Sequence, residues 1–365
     1  MAKTELNIIG GGCAALSLAG LSKSLNEYKI NLYVGNQNKK INDHFWGFWK
    51  NKSTETAFDI SDYSWSHWSI ITYESKQILS SNTYPYCVIR RSKWLDYCLS
   101  QINNKRVNII QEDALDRNND LFVYNNKIEG KHIFDSRQPK IPSNILLQHF
   151  EGYIITSEKN IFDDKTVTLM DFRCDQSKGM HFIYLLPLNK NSALVESTVF
   201  SKNIEKPSFY LNAIKLYLRK YYNLTKFVKS HHEKGIIPMH DITVNSKFTY
   251  NIGTRGGAVR PSSGYAFTFI QKQVFQIKSQ LLSKGKIKTS VHKKLDLFLD
   301  RIFIKVIELN PQIAPKIFSN FAKGINGDEM AMFMSGDCSF FTKFKIIKSM
   351  PKIPFMMAFL KIVKE

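Results

Sequence analysis

The chain has 365 residues, 43% of them hydrophobic and 13% aromatic, enough to bury a sizeable core in one large or two intertwined domains and too apolar to stay disordered. Its 51 Lys and Arg against 31 Asp and Glu leave a formal net charge of +20, a surplus that steers a protein toward polyanions, meaning nucleic acid or an anionic membrane face. Five scattered cysteines without C-x-x-C spacing suit a reducing cytoplasm and argue against a zinc site. No apolar run is long enough for a transmembrane helix, and the opening Met1–Glu5 leaves no room for a signal peptide ahead of the first strand.

In chain order, an apolar run from Leu6 to Ile9 ends in Gly10-Gly11-Gly12, and a small-residue stretch with helical potential follows. The spacing Gly10-x-Gly12-x-x-Ala15 is the small-third-residue form of a dinucleotide fingerprint, in which a tight turn and a helix N-terminus meet a pyrophosphate. The next strand, Ile30–Val34, is followed by Gly35-Asn36, where a ribose-binding carboxylate is expected and absent. An aromatic segment, HFWGFWK through YSWSHWSIITY, reads as core or pocket wall. YCVIRRSKWLDYCLSQI predicts a strand and then a helix capped near Ser92, which puts Arg90 and Arg91 within reach of the same phosphates.

Short alternating strands are predicted over 107–134, an antiparallel sheet over 152–200, and a helix over 207–222. A glycine-rich loop, YNIGTRGGAVRPSSGYAF, then feeds a long helix, and from Lys293 the pattern is mostly helical. Two glycine-rich, helix-starting loops far apart in sequence are characteristic of flavoproteins, where the second helix aims its N-terminus at the flavin ring. The final stretch, 342–364, sets six lysines and no acid among Phe, Ile, Met and Leu. That mixture describes an interfacial segment better than a nucleic-acid arm.

The segment TLMDFRCDQSKGMHFIYLLPLNKNSALVEST, 168–198, resembles the bacterial lycopene cyclases: Met170-Asp171, an aromatic strand ending Leu186-Pro187-Leu188, and Glu196-x-Thr198. Other stretches are similar in the same order. They are H-x-W-x-F (His44, Trp46, Phe48), D-x-R (Asp135, Arg137) and Q-x-F-x-G (Gln148, Phe150, Gly152). E-x-G-x-x-P (Glu233, Gly235, Pro238) follows, then a loop containing Gly257, Pro261, Gly264 and Tyr265.

The resemblance implies an α/β chain with an FAD-binding Rossmann-like domain of glutathione-reductase type in two parts, 1–150 and 241–292. An antiparallel β substrate domain is inserted near 60–92 and over 151–240, and 293–365 form a helical, membrane-associating portion. It also implies reduced FAD maintained by NADPH or NADH, with cofactor contacts at Gly10, Gly12, Ala15, Arg91, Gly257, Pro261 and Gly264, and no metal. The implied substrates are lycopene and other acyclic carotenoids, converted to β-ended carotenes without net redox change. The implied site is cytoplasmic, peripheral on an anionic membrane face, with no nucleic acid bound. Ser197 departs from the family pattern beside the glutamate.

Cyclising a polyene end needs a proton delivered to a terminal double bond and one removed after ring closure. A single carboxyl can do both in turn. Glu196, on an apolar strand, is the candidate acid. Asp171 is read either as orienting Glu196 or a nearby water, or as a carboxylate bonding backbone at the turn. The competing readings are a monooxygenase or isoprenoid reductase on the same scaffold, and a non-catalytic basic membrane-binding protein.

Overall fold

The computed structural model describes residues 4–35, 43–103, 105–117, 120–124, 126–244, 246 and 248–364. The expectations that rest on Met1–Lys3 and on Asn36 fall outside these residues. β1 (Thr4–Ile9) turns at Gly10, whose φ of +115° is open to glycine and strained for other residues. α1 (Cys13–Gly20) follows, and β2 (Tyr28–Tyr33) returns parallel to β1. β3 (Phe45–Trp49) leads through a short helix, α2 (Glu55–Asp59), to β4 (Tyr63–Trp65). A hairpin of β5 (His67–Ile71) and β6 (Lys76–Ser80) comes next, and then β7 (Tyr86–Arg90) pairs with β3 and β4.

α3 (Arg91–Gln101) begins one residue before the expected cap at Ser92. Asp43 explains the shift: its carboxylate accepts from both the Ser92 amide (2.9 Å) and the Ser92 hydroxyl (2.6 Å), so the first turn is capped from outside the helix. β8 (Val107–Ile110), a small meander of β9 (Leu115–Arg117), β10 (Asp120–Val123) and β11 (Asn126–Lys127), and β12 (His132–Asp135) complete this half.

The second half opens with β13 (Leu147–Thr156), β14 (Thr166–Asp171), β15 (Met180–Pro187) and β16 (Ser192–Ser201). α4 (Pro207–Tyr222) has Pro at its first turn, where a missing N–H costs nothing, and Asn223 in the left-handed region at its end. β17 (Val228–Pro238), the two-residue β18 (Tyr250–Asn251) and α5 (Phe267–Leu282) follow. The chain closes with α6 (Lys294–Leu309), α7 (Ala314–Gly324), α8 (Gly327–Met334), α9 (Phe340–Ser349) and α10 (Lys352–Lys364).

Two sheets organise these elements. The first, in order β18-β12-β1-β2-β8, is parallel throughout. Its central residues Leu6, Ile8, Ile30, Leu32 and Phe134 are fully buried, as a sheet covered on both faces requires. Ala14, Ala15, Leu18 and Ala19 let α1 pack closely against it. The second sheet runs β17-β13-β16-β15-β14-β5-β6, antiparallel except where β14 meets β5.

One face of the second sheet is sealed by α4, with Ile155, Ile183 and Val195 against Ile214, Tyr217 and Leu218. Its other face looks inward, toward the parallel-sheet half and the C-terminal helices. Buried ion pairs pin those helices down: Arg260 to Asp300 at 3.2 Å, and Lys343 to Asp296.

Candidate active site

Between the two sheets and the C-terminal helices lies a cavity of about 910 Å³, at the upper end of the size of small-molecule sites. It is lined at one end by Gly12, Cys13, Arg91 and Gly253, in the middle by Trp46, Tyr265, Tyr184 and Glu196, and at the other end by Phe318, Met334, Met350 and Phe355. The wall is mostly apolar, so any polar group in it is conspicuous.

At the first end, Gly12 precedes α1 without a capping side chain, and nothing stands within 4 Å of the place its Cβ would take. The first-turn N–H groups of α1 therefore face open space, with the Arg91 guanidinium among the lining groups. Arg90, by contrast, lies over the Phe45 ring at 5.4 Å and leaves the cavity. Gly264, with φ +70°, is a second close approach: a Cβ there would sit 2.5 Å from Gln148 Oε1. That Gln148 oxygen and the Ser263 hydroxyl are buried without hydrogen-bond partners among the described residues.

The other fingerprint positions act one step back. Gly10 makes room for Ser136, and Ala15 is wholly buried between α1 and the sheet. Gly257, at φ +70°, closes against Thr243, and Pro261 is buried in the turn before Ser262. None of these four lines the cavity. They shape the loops whose neighbours do.

The middle of the cavity is built by strand register. Tyr184 on β15 stands directly opposite Glu196 on β16, Glu196 opposite Gly152 on β13, and Gly152 opposite Glu233 on β17. Directly opposed residues share a face, so this line crosses four strands on the inward side. The two glutamates are two strands apart, roughly 9.6 Å between backbones. Only a glycine between them lets their side chains meet, and a Cβ on Gly152 would lie 2.4 Å from Glu196 Cγ.

Glu233 is 2% exposed. Its Oε2 accepts from the Phe45 amide at 2.9 Å and lies 3.4 Å from His231 Nε2, while its Oε1 has no donor. His231 reaches this position because β17 slips register there: Tyr153 pairs with His232 and Ile154 with Ser230, leaving His231 unpaired at φ 41°. Such a bulge re-aims a side chain, here beside Glu233.

Burial, then the Glu233 charge and the hydrogen bond between the two carboxyls, push Glu196 well above the usual carboxyl range. Burial also acts to raise Glu233, but its bonds to His231, Glu196 and the Phe45 amide outweigh that and bring it below its ordinary value. The two carboxyls are thus pushed in opposite directions, Glu196 toward its neutral form and Glu233 toward its charged form. Around them Tyr86 bonds Tyr184 at 2.8 Å and Tyr265 at 3.2 Å. All three hydroxyls are held well above their normal titration range, chiefly by burial. Gly47 accommodates this cluster, since a Cβ there would meet the Tyr86 hydroxyl at 2.0 Å.

Asp171 is not part of this group. It pairs with Ile183, the neighbour of Tyr184, and so points to the opposite face. There it is fully buried, bonded to Arg173 at 2.6 Å and to the Tyr217 hydroxyl at 2.8 Å. The expectation that it orients Glu196 is corrected by sheet parity. Asp171 anchors α4 and its own turn. Ser197 likewise faces away, at 2.9 Å from His181 Nε2, and does not touch the glutamate beside it in sequence. Asp135 and Arg137 form a bidentate pair joined by Arg255.

Sequence reading singled out Glu196 but gave Glu233 and Tyr86 no role. A sequence signal existed for the first: Gln148-x-Phe150-x-Gly152, Glu196-x-Thr198 and Glu233-x-Gly235 all repeat at the strand period of two, placing each motif on one face.

A sequence profile described as lycopene cyclase protein matches residues 5–358. No curated protein matches the sequence. Among solved structures, the chain is similar to a geranylgeranyl bacteriochlorophyll reductase-like protein from Thermoplasma acidophilum, with TM-score 0.61, 11% identity and 96% of each chain covered. A flavoprotein/dehydrogenase from Cytophaga hutchinsonii aligns over 100% of both chains at 13% identity and TM-score 0.58. A flavin-dependent halogenase from Xanthomonas campestris gives TM-score 0.53 at 11% identity, covering 88% of this chain and 77% of the other. At these identities the likeness establishes the fold, that of the flavoprotein scaffold.

Proposed function

Since this chain belongs to the lycopene cyclase protein family, we propose that it closes the linear ends of lycopene and related acyclic carotenoids into β-rings, with Glu196 as the acid and base. One observation carries the reading: Glu196 opens on an apolar cavity, where burial raises its carboxyl well above the usual range. An alkene is a very weak base, and water would capture the cation formed from it, so the acid must be both protonated and dry.

In this reading the Glu196 O–H bond breaks as a C–H bond forms at the terminal double bond. The neighbouring double bond closes the ring, and a ring C–H proton returns to Glu196. Trp46, Tyr184 and Tyr265 line the cavity beside Glu196 and offer aromatic faces to the positive charge.

The first end of the cavity fits FAD. The uncapped first turn of α1 and Arg91 would hold the pyrophosphate, and the Gly264 loop with the N-terminus of α5 would face the ring. The unpartnered Gln148 and Ser263 oxygens are then positioned to bond it. When bound and reduced by NADPH or NADH, FAD supplies negative charge beside the developing cation in a low-dielectric site, which explains a redox cofactor in a reaction without net redox change.

The far end of the cavity supports access from a lipid phase. Met350, Pro351 and Lys352, where α9 gives way to α10, line the cavity. The same two helices expose Phe340, Phe341, Phe344, Met356, Met357 and Val363 together with Lys348, Lys361 and Lys364. Lysines over exposed apolar side chains match an anionic membrane surface, and a polyene would pass from it directly into the cavity. Among the described residues no helix is long and apolar enough to cross a membrane.

The test is to express the chain in bacteria that accumulate lycopene and separate the pigments. Accumulation of β-ended carotenes is expected. In vitro, product should exceed the NAD(P)H consumed many-fold. Unchanged lycopene together with a colourless purified protein would overturn the reading, and NAD(P)H consumption equal to product would assign a redox reaction to the scaffold instead.

A further inference from the structure

Glu233 has no duty in the reaction as stated, and it does not line the cavity. It nonetheless sits at the end of an unbroken line of opposed residues from Tyr184 through Glu196 and Gly152. Three independent features converge on it. A glycine clears the path between the two carboxyls. A β-bulge spends a strained backbone position to bring His231 against it. One of its oxygens is buried with no hydrogen-bond partner among the described residues.

We propose that Glu233 is a positioning residue for the acid: held by the Phe45 amide and His231, it grips the Glu196 proton across Gly152 and keeps Glu196 in its acid form until a polyene end arrives. This rests on the reading of Glu196 as the acid. Glu233 gains and loses nothing over a cycle. The proton leaves Glu196 for the terminal alkene carbon, and the ring proton comes back to Glu196. While the proton is away, two carboxylates lie side by side facing a cation, an arrangement that favours the return.

The other titratable groups facing Glu196 are Tyr184 from β15, Tyr86 from β7 and Tyr265 from the glycine loop, with His231 behind Glu233. Burial keeps the three phenols neutral through the range of interest. After burial itself, Glu233 is thus the charge that raises Glu196.

The experiment compares the flavin-loaded protein with its Glu233→Gln and Glu233→Asp variants. Gln keeps the size and removes the charge, and its amide donates to a Glu196 carboxylate. The alkaline limb of the rate profile should therefore move down by at least about one pH unit, a loss approaching tenfold on that limb that recovers on acidification. Asp should fall between Gln and the parent. A uniform loss at every pH, or a superimposable profile, would overturn the proposal by reducing Glu233 to a packing role.

A second measurement needs no substrate. The infrared difference spectrum between the parent and Glu196→Gln at neutral pH should show a protonated carboxyl. The same difference in a Glu233→Gln background should not. Absence of the band in the parent overturns the proposal, as does its persistence without Glu233. If the band behaves as expected while no lycopene is converted, the pairing holds and the cyclase reading alone fails.

Discussion

At the scale of single residues, the site depends on which side chain is absent as much as on which is present. Gly152 has no conformational need for glycine, but it lies between two glutamates that must touch. Gly152→Val would drive its side chain into Glu196 and is expected to lower cyclisation at least about 100-fold while the flavin spectrum is kept, because a misplacement on the scale of 1 Å has that effect. Glu196→Gln preserves shape and removes the transferable proton. It is expected to abolish product, again with flavin bound, and a retained rate would refute the assignment.

Glu196 also leaves a signature in stability. Its raised value in the fold means the folded chain binds that proton more tightly than the unfolded chain does. This contribution is complete below the unfolded carboxyl value of about 4.3 and is lost as pH rises through the folded value. Thermal unfolding of Glu196→Gln, which has no such proton, should therefore decline less than the parent between about pH 5 and about pH 8.

At the scale of elements, the cavity is shared property. β13, β15 and β16 supply its polar centre, α1 and the loop before α5 its glycine-rich end, and the turn from α9 to α10 part of its wall. α9 and α10 have two different faces. Ile346 and Ala358 are buried in the core and Lys343 pairs with Asp296, whereas Phe341 is 79% exposed and Phe344 58%. Deleting everything after Asp337 would strip a wall from the cavity as well as a surface from the protein. Replacing Phe341, Phe344 and Met356 with serine touches the surface alone. Each large side chain buried in lipid is worth about 1.5 kcal/mol or more, so affinity for phosphatidylglycerol vesicles should fall at least about 100-fold with the flavin spectrum intact. Co-sedimentation measures this, and unchanged binding would remove the helices from the membrane face.

At the scale of the whole molecule, the cavity joins both sheets and the terminal helices, so a ligand filling it touches all three parts at once. FAD at 100 times its dissociation constant should stabilise the fold by about 2.7 kcal/mol, read as a rise of a few degrees in melting temperature for a chain of this size. Gly264→Ala should weaken that response, since its backbone is strained for a side chain and the Cβ would strike Gln148. An equal melting shift in the variant would show that this loop takes no part in cofactor binding. The net charge of +20 belongs to this scale too: binding to anionic vesicles should weaken as salt rises, while the apolar part persists.

Local pattern alone was sufficient for the parallel opening unit, for α4 and for the second glycine loop, because strand and helix periods and glycine turns are short-range properties. Ordered motifs likewise marked Glu196, Gly12 and Gly264. The helix start at Arg91 was misplaced because the group that caps it, Asp43, arrives from nearly fifty residues away. The face on which each carboxyl stands was decided by tertiary structure. Asp171 and Glu196 belong to one continuous motif, yet one position of strand register separates them onto opposite faces of the sheet. Glu233 and Glu196 belong to distant motifs and meet because two pairings and one glycine bring them into line. Residue type and spacing are written along the chain, but whether two groups share a proton depends on pairing between strands, which exists only once the sheet has formed.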